Sequence, residues 1–132
     1  MYIRFNEVVY LAETMISGRR FLRSFKYAFE GIHYVFRNDQ NLLAHFTVGI
    51  LVINLSIFFK VTPFEMGILG LTIMMVIVAE MVNSAIEKMV DLITKEHRAE
   101  AKIAKDVSAG MVLLTAIAAV VIGTLIFLPY IL

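Results

Sequence analysis

Three long runs of this chain carry almost no charge, and they frame the reading of everything between them. Gln40 to Phe59 is twenty residues without Asp, Glu, Lys or Arg. Met66 to Ile86 is twenty-one residues broken by one charge, Glu80, and Val107 to Leu132 is twenty-six uncharged residues. A helix rises ~1.5 Å per residue and a bilayer's hydrocarbon core is ~30 Å thick, so each run is long enough to cross it. The pattern predicts three transmembrane helices over 40–59, 66–86 and 107–131. Pro129 and Tyr130 fall near the end of the last, where a helix can stop and an aromatic ring can sit at the interface.

The chain before these runs has a different pattern. From Tyr2 to Ile16, apolar Ile3, Val8, Leu11, Met15 and Ile16 alternate with Arg4, Asn6, Glu7 and Glu13, as in a helix lying on a membrane surface. Ser17 and Gly18 break it. Arg20 to Phe36 then sets Phe21, Phe25, Phe29 and Phe36 among Arg23, Lys26 and Glu30, which predicts a second interfacial helix. The expected fold is therefore all-α and membrane-embedded, a single domain over 1–132 with amphipathic surface helices in 1–38 followed by three spans. No early apolar stretch of the ~7–15 residues needed for a cleavable secretory signal follows a basic start, and no internal repeat is visible.

Composition agrees. Apolar residues make up 60% of the chain and charged ones 17%, with a mean hydropathy of +0.82, where soluble domains run about 45–50% and about 25%. With 132 residues, three spans leave no room for a separate soluble catalytic domain. The net charge of +1 is not concentrated on one basic face, so nucleic acid is not an expected partner. The chain has no cysteine, which excludes disulfides and thiolate metal sites. Eleven of the twelve Lys and Arg residues lie before the first run or between the second and third, and only Lys60 lies elsewhere. By the positive-inside rule both basic stretches face the cytoplasm, so the N-terminus is expected inside and the 60–65 turn and C-terminus outside the inner cell membrane.

Glu80 is the residue that this frame does not explain. A carboxylate inside a span costs about 2.5–3.5 kcal/mol on insertion scales. Glu80, Asn83, Glu87 and Asp91 follow at i, i+3, i+7 and i+11, which confines them to an arc of roughly 80° on one helix face. The stripe descends from the bilayer interior to its cytoplasmic edge. Polar contacts between helices, or a span that simply ends early, would also account for its lower half. The loop after it is rich in both charge signs and ends in Lys105 and Asp106 at the mouth of the third span. A lysine beside carboxylates suits phosphate neutralisation, while snorkelling suffices for Lys95, Arg98 and Lys102. Asp39, Asn41 and His45 occupy the matching end of the first span, where a carboxylate could complete an oxygen-rich Mg²⁺ site with Glu87. His33, His45 and His97 lack a close metal-binding spacing, which argues against zinc. No glycine-rich phosphate loop is present. Gly67, Gly70, Ala119 and Gly123 read as helix-packing positions.

These residues carry a resemblance. EMVNSAIEKMVD at 80–91 followed by AKDVSAGMVL at 104–113 resembles the signature of the prokaryotic diacylglycerol kinase family, E-x-x-N-[ST]-A-I-E-x-x-V-D and then A-K-D with a small-residue run. SFKYAFEGI at 24–32, DQNLLAH at 39–45 and FE at 64–65 extend the likeness over about residues 20–132. The resemblance implies a homotrimeric membrane kinase that transfers the γ-phosphoryl of MgATP to a lipid hydroxyl, with sites shared between subunits. By motif position, Glu80 would be the general base on the lipid with Asn83 beside it, and Glu87 and Asp39 the metal carboxylates. Arg20, Tyr27, Lys105 and Asp106 would join them at ATP, with Asp91 as a supporting acid. Asp39 stands where the family usually carries Glu, one methylene longer. DQNLLAH and the GTLIFLP ending at 123–129 look more like the undecaprenol kinase branch, with diacylglycerol the alternative acceptor.

Phosphoryl transfer asks chiefly for positioning and for neutralised oxygen charge, which carboxylate-held Mg²⁺ with Arg and Lys supplies. A reading of another class is a non-catalytic membrane protein, or a small transporter with Glu80 as an ion relay. Against the relay, the outer halves of the three spans carry no charged residue.

Overall fold

The computed structural model describes residues 18–132, so the surface helix expected between Tyr2 and Ile16 lies outside them. The described chain forms helices α1 (Gly18–Asn38), α2 (Gln40–Phe58), α3 (Pro63–Ile93) and α4 (Ala99–Ile131), with no strand among the described residues. It divides into two units between Tyr34 and Val35.

In the first unit α1 carries Phe21, Phe25, Phe29 and Ile32 along one stripe, all exposed. Phe21 and Phe25 meet edge to face, with ring centroids 5.0 Å apart. Lys26 and Glu30 form an exposed ion pair at 3.8 Å. This is the amphipathic helix that the alternation from Arg20 to Phe36 predicts, with the apolar face uncovered as a membrane-surface helix needs it.

The second unit is built on α3. Helices α2 and α4 both pack against it, α4 the more extensively, and α2, α3 and α4 are each long and apolar enough to cross a membrane. Helix α2 ends in a Schellman motif: Val61 N–H donates to the Ser56 carbonyl at 3.0 Å and Lys60 N–H to that of Ile57 at 3.2 Å. Lys60 takes the left-handed conformation there, φ 55°. Helix α3 then starts with a capping box between Thr62 and Glu65 and with Pro63 at its first turn. Tyr130 Oη donates to Glu65 Oε2 at 2.6 Å, tying the end of α4 to this turn. Beneath it Val61, Leu69 and Ile126 form the buried apolar core, with Val52, Phe59 and Phe127 packed around them.

On α2 the fully buried positions are Leu42, Gly49 and Ser56, seven residues apart, so one narrow line of the helix faces α3. The approach is closest at Gly49, where a Cβ would stand 2.8 Å from Ile73 Cγ2. Gly67, Gly70 and Gly123, read from their spacing as packing positions, are not contacts within the chain, since a Cβ at any of them would meet nothing within 4 Å.

The helices also extend past the charge-free runs. The third helix reaches Ile93 and the fourth begins at Ala99, against expected spans of 66–86 and 107–131, so the connector shrinks to Thr94–Arg98. Charge ends a span but does not end a helix, because Glu, Lys and Ala are strong helix formers. At ~1.5 Å per residue, the 31 residues of α3 extend about 46 Å.

Gly49→Val should lose about 1–3 kcal/mol of stability by overpacking against Ile73. Thermal unfolding in detergent checks this, and Ile73→Ala in the same chain should restore part of the loss.

Candidate functional site

The site grows out of one helix start. Asp39 lies between α1 and α2 and caps α2: its Oδ1 accepts from the backbone N–H groups of Asn41 and Leu42 at 2.9 and 3.2 Å. Its Oδ2 accepts from Ser84 Oγ on α3. One carboxylate thereby starts α2 and fastens it to α3. Leu42, 0% exposed, packs directly beneath the cap.

The acidic stripe lies on α3 as its spacing predicts, but its members sit in different surroundings. Glu80 is 1% exposed, and Asn83 and Ser84 are buried with it. Glu87 is half-buried and Asp91 exposed. Measured from Met66 at the helix rise, Glu80 lies about 21 Å along, Glu87 about 31 Å and Asp91 about 37 Å. A ~30 Å hydrocarbon layer that began at Met66 would contain Glu80, end near Glu87 and leave Asp91 outside.

Around Glu80 the electrostatic neighbours are Asp39, Asn41, His45 and Glu87. The two segments that the sequence analysis pairs, the start of the first span and the stripe, do come together. Asn41 is placed to hydrogen-bond the carboxylate through its side chain, and among the described residues Glu80 Oε1 is buried without a hydrogen-bond partner. A buried carboxylate oxygen left unpaired costs free energy, so it marks a place where a donor from outside the chain would be stabilised.

Asn83 has both ends of its amide engaged. Nδ2 donates to Glu87 Oε1 at 3.3 Å, and Oδ1 accepts from Ser108 Oγ on α4 at 2.7 Å. Farther along the stripe Lys105 Nζ meets Asp91 Oδ1 at 2.6 Å, and Lys102 pairs with Asp106 at 2.8 Å. Within the short connector, Arg98 Nε and Nη2 both donate to Glu96 Oε2. Asp91, Lys95, His97, Arg98, Lys102 and Lys105 line an open groove of about 730 Å³ between the end of α3 and the start of α4. Its mixed charge suits a polyanion held by cations, with carboxylates close by for a metal ion.

Magnesium needs one or two carboxylates, with phosphates and waters completing the shell. No group of three or more His, Asp or Glu side chains converges among the described residues. Glu87 fits the smaller requirement: one of its oxygens takes the Asn83 amide and no hydrogen bond engages the other. Asp39 is more committed, with three bonds already made to its two oxygens. Arg20 and Tyr27 belong to the first unit, where both stand exposed on α1. Ser84 and Ser108 have no place in the sequence reading, and Arg98, paired here with Glu96, enters it only as a snorkelling cation. Serines in a membrane helix ordinarily bond to their own backbone, as Ser56 does to Val52, so nothing in their spacing distinguishes these two.

The chain matches the prokaryotic diacylglycerol kinase family over residues 26–127, a stretch that contains Tyr27, Asp39, Glu80, Asn83, Glu87, Asp91, Lys105 and Asp106 but not Arg20. It is 39% identical over 109 residues to a diacylglycerol kinase of Synechocystis, covering 82% of this chain and 62% of that protein. It is 38% identical over 110 residues to an undecaprenol kinase of Bacillus subtilis, covering 83% and 89%. A diacylglycerol kinase of Haemophilus influenzae is 26% identical over 107 residues, covering 80% and 91%. The chain thus spans less than two thirds of the Synechocystis protein's length.

Asp39→Ala should remove the α2 cap together with the Ser84 tie, with a loss of about 1–2 kcal/mol from the cap alone. Hydrogen exchange should then accelerate at the Asn41 and Leu42 amides. Asp39→Asn, which keeps a capping oxygen, should protect them better than Ala.

Proposed function

Because the chain belongs to the prokaryotic diacylglycerol kinase family, we propose that it is an ATP- and Mg²⁺-dependent kinase that phosphorylates the hydroxyl of a membrane lipid at its cytoplasmic edge. The observation that carries this reading is Glu80, 1% exposed within an apolar, membrane-length helix, with Oε1 unpartnered among the described residues and Asn41 and His45 beside it. An acceptor that reaches it must bring its own hydroxyl proton and must come from the bilayer. A lipid alcohol meets both conditions.

In this reading Glu80 takes the proton of the acceptor hydroxyl as that oxygen bonds to the γ-phosphorus of ATP. The bond from the γ-phosphorus to the bridging β,γ-oxygen breaks, and ADP leaves. Magnesium, when bound, supplies neutralisation of the phosphate oxygens, with Glu87 as its first protein ligand and Asp39 as the second. Asn83 orients Glu87 from its other side. Lys105, half-buried at the head of the groove, and Asp106 would contact the nucleotide, with Arg98 and Lys102 adding positive charge along the same surface. Asp91 holds Lys105 in place. By family position Arg20 and Tyr27 are assigned to ATP as well, and the whole chain is read as one membrane-embedded domain.

We assign undecaprenol as the acceptor and undecaprenyl phosphate as the product. The segment that resembles that branch, DQNLLAH, is the one whose Asn41 and His45 stand beside Glu80. The Bacillus subtilis relative carries the undecaprenol kinase name at 38% identity, and the Synechocystis relative the diacylglycerol kinase name at 39%. The reading also takes the protein to be a homotrimer in the inner cell membrane, with its charged groove on the cytoplasmic side.

Phosphate transfer from radiolabelled ATP into mixed micelles containing undecaprenol or diacylglycerol tests the proposal. Undecaprenol should be labelled faster, and Glu80→Gln should lose about 10²- to 10⁴-fold in turnover, the size of a general-base contribution. Preferential labelling of diacylglycerol would reassign the acceptor, and normal turnover by Glu80→Gln would remove Glu80 as base.

A further inference from the structure

We propose that Ser108 is a positioning residue for Glu87, acting through the Asn83 side-chain amide. The inference rests on the reading above in one respect, that Glu87 faces the metal ion.

Ser108 is 1% exposed, on the face of α4 turned to α3. Its Oγ lies 2.7 Å from Asn83 Oδ1 and 2.9 Å from the Lys105 carbonyl, and both are acceptors. A serine in a helix can always return its proton to its own backbone, and the Lys105 carbonyl is that alternative. The amide of Asn83 cannot improvise in the same way. It is buried, and its other end faces a carboxylate that only accepts. One orientation satisfies both neighbours: the NH₂ toward Glu87 and the carbonyl toward Ser108. Turning the amide over would set its carbonyl against the Glu87 carboxylate. Ser108 is therefore the group that makes the productive orientation complete, because among the described residues it is the donor to Asn83 Oδ1.

The location adds to the argument. Lys105 lies one turn before Ser108 on α4, and each is tied to α3, Lys105 to Asp91 and Ser108 to Asn83. The Lys105 pair is exposed, and solvent screens it. The Ser108 tie is dry. At this end of the bundle it is the buried polar contact that links the helix carrying Lys105 and Asp106 to the helix carrying Glu87. Removing one oxygen atom at position 108 should loosen the metal carboxylate without touching it. Alanine suits the test, since it occupies less space in a run that already reads Ser-Ala-Gly at 108–110.

The experiment measures Mn²⁺ affinity by electron paramagnetic resonance, with a non-hydrolysable ATP analogue present and the full chain in detergent micelles. Wild type is compared with Ser108→Ala, Asn83→Ala and the double variant, and MgATP kinetics are run beside the titrations. Ser108→Ala should weaken Mn²⁺ binding about three- to tenfold, the range for one lost hydrogen bond in such a relay. It should raise the KM for MgATP by a similar factor while leaving the KM for the lipid unchanged. The double variant should bind Mn²⁺ no more weakly than Asn83→Ala alone, because the two residues act in series. Wild-type affinity in Ser108→Ala, or losses that multiply in the double variant, would overturn the proposal. A coupled Mn²⁺ loss in a protein that phosphorylates no lipid would uphold the positioning role and remove the kinase reading.

Discussion

A carboxylate and an amide buried in an apolar helix must find their partners inside the bundle, and the Glu80 end of the second unit is organised around that constraint. Glu80 and Asn83 are carried on α3, the one helix that both other spans pack against. Helix α4 supplies Ser108 to Asn83, and the start of α2 supplies Asp39 to Ser84 on the next residue of α3. Each neighbouring helix therefore contributes one polar contact at the same level of the bundle. In hydrocarbon such contacts are retained because the alternative is an unsatisfied group with no water at hand. What they leave unsatisfied is a single oxygen of Glu80.

The two ends of the second unit are held by different means. At the 59–66 turn the Schellman motif, the capping box and the Tyr130 hydroxyl close the ends of all three helices over a small apolar core. At the other end the helices emerge, charged, around an open groove. Apolar packing resists separation evenly, whereas the ties at the charged end are few and specific. Between the two, the line of Leu42, Gly49 and Ser56 brings α2 against α3, closest where a glycine meets Ile73.

Much of this was legible in the sequence. Uncharged length gave the three spans, because hydrocarbon excludes charge more sharply than any propensity acts. The period of Glu80, Asn83, Glu87 and Asp91 gave one face of one helix, since helical geometry allows no other placement. The ends were less legible: α3 runs on to Ile93 through residues that favour helix in water as well as in lipid. Least legible were Ser84 and Ser108. A hydroxyl's partner across a helix interface depends on the rotation and register of two helices, which no single-helix pattern contains. Gly49 was hidden for the same reason, while Gly67, Gly70 and Gly123, which have the more suggestive spacing, leave open space among the described residues where a Cβ would stand.

The length of α3 has a further consequence. With its rise fixed, the helix works as a ruler that sets Glu80 about 10 Å deeper than Glu87. For a reaction of the proposed kind, that offset separates the two substrates by solubility before any pocket discriminates between them. In that reading nucleotide would arrive from water at the level of Glu87, and only an alcohol that partitions into the bilayer would meet it from below. Water, the commonest competing acceptor for an activated phosphoryl group, would be scarce at that depth. Futile hydrolysis would then be restrained by geometry, through seven residues of helix, without need of a lid.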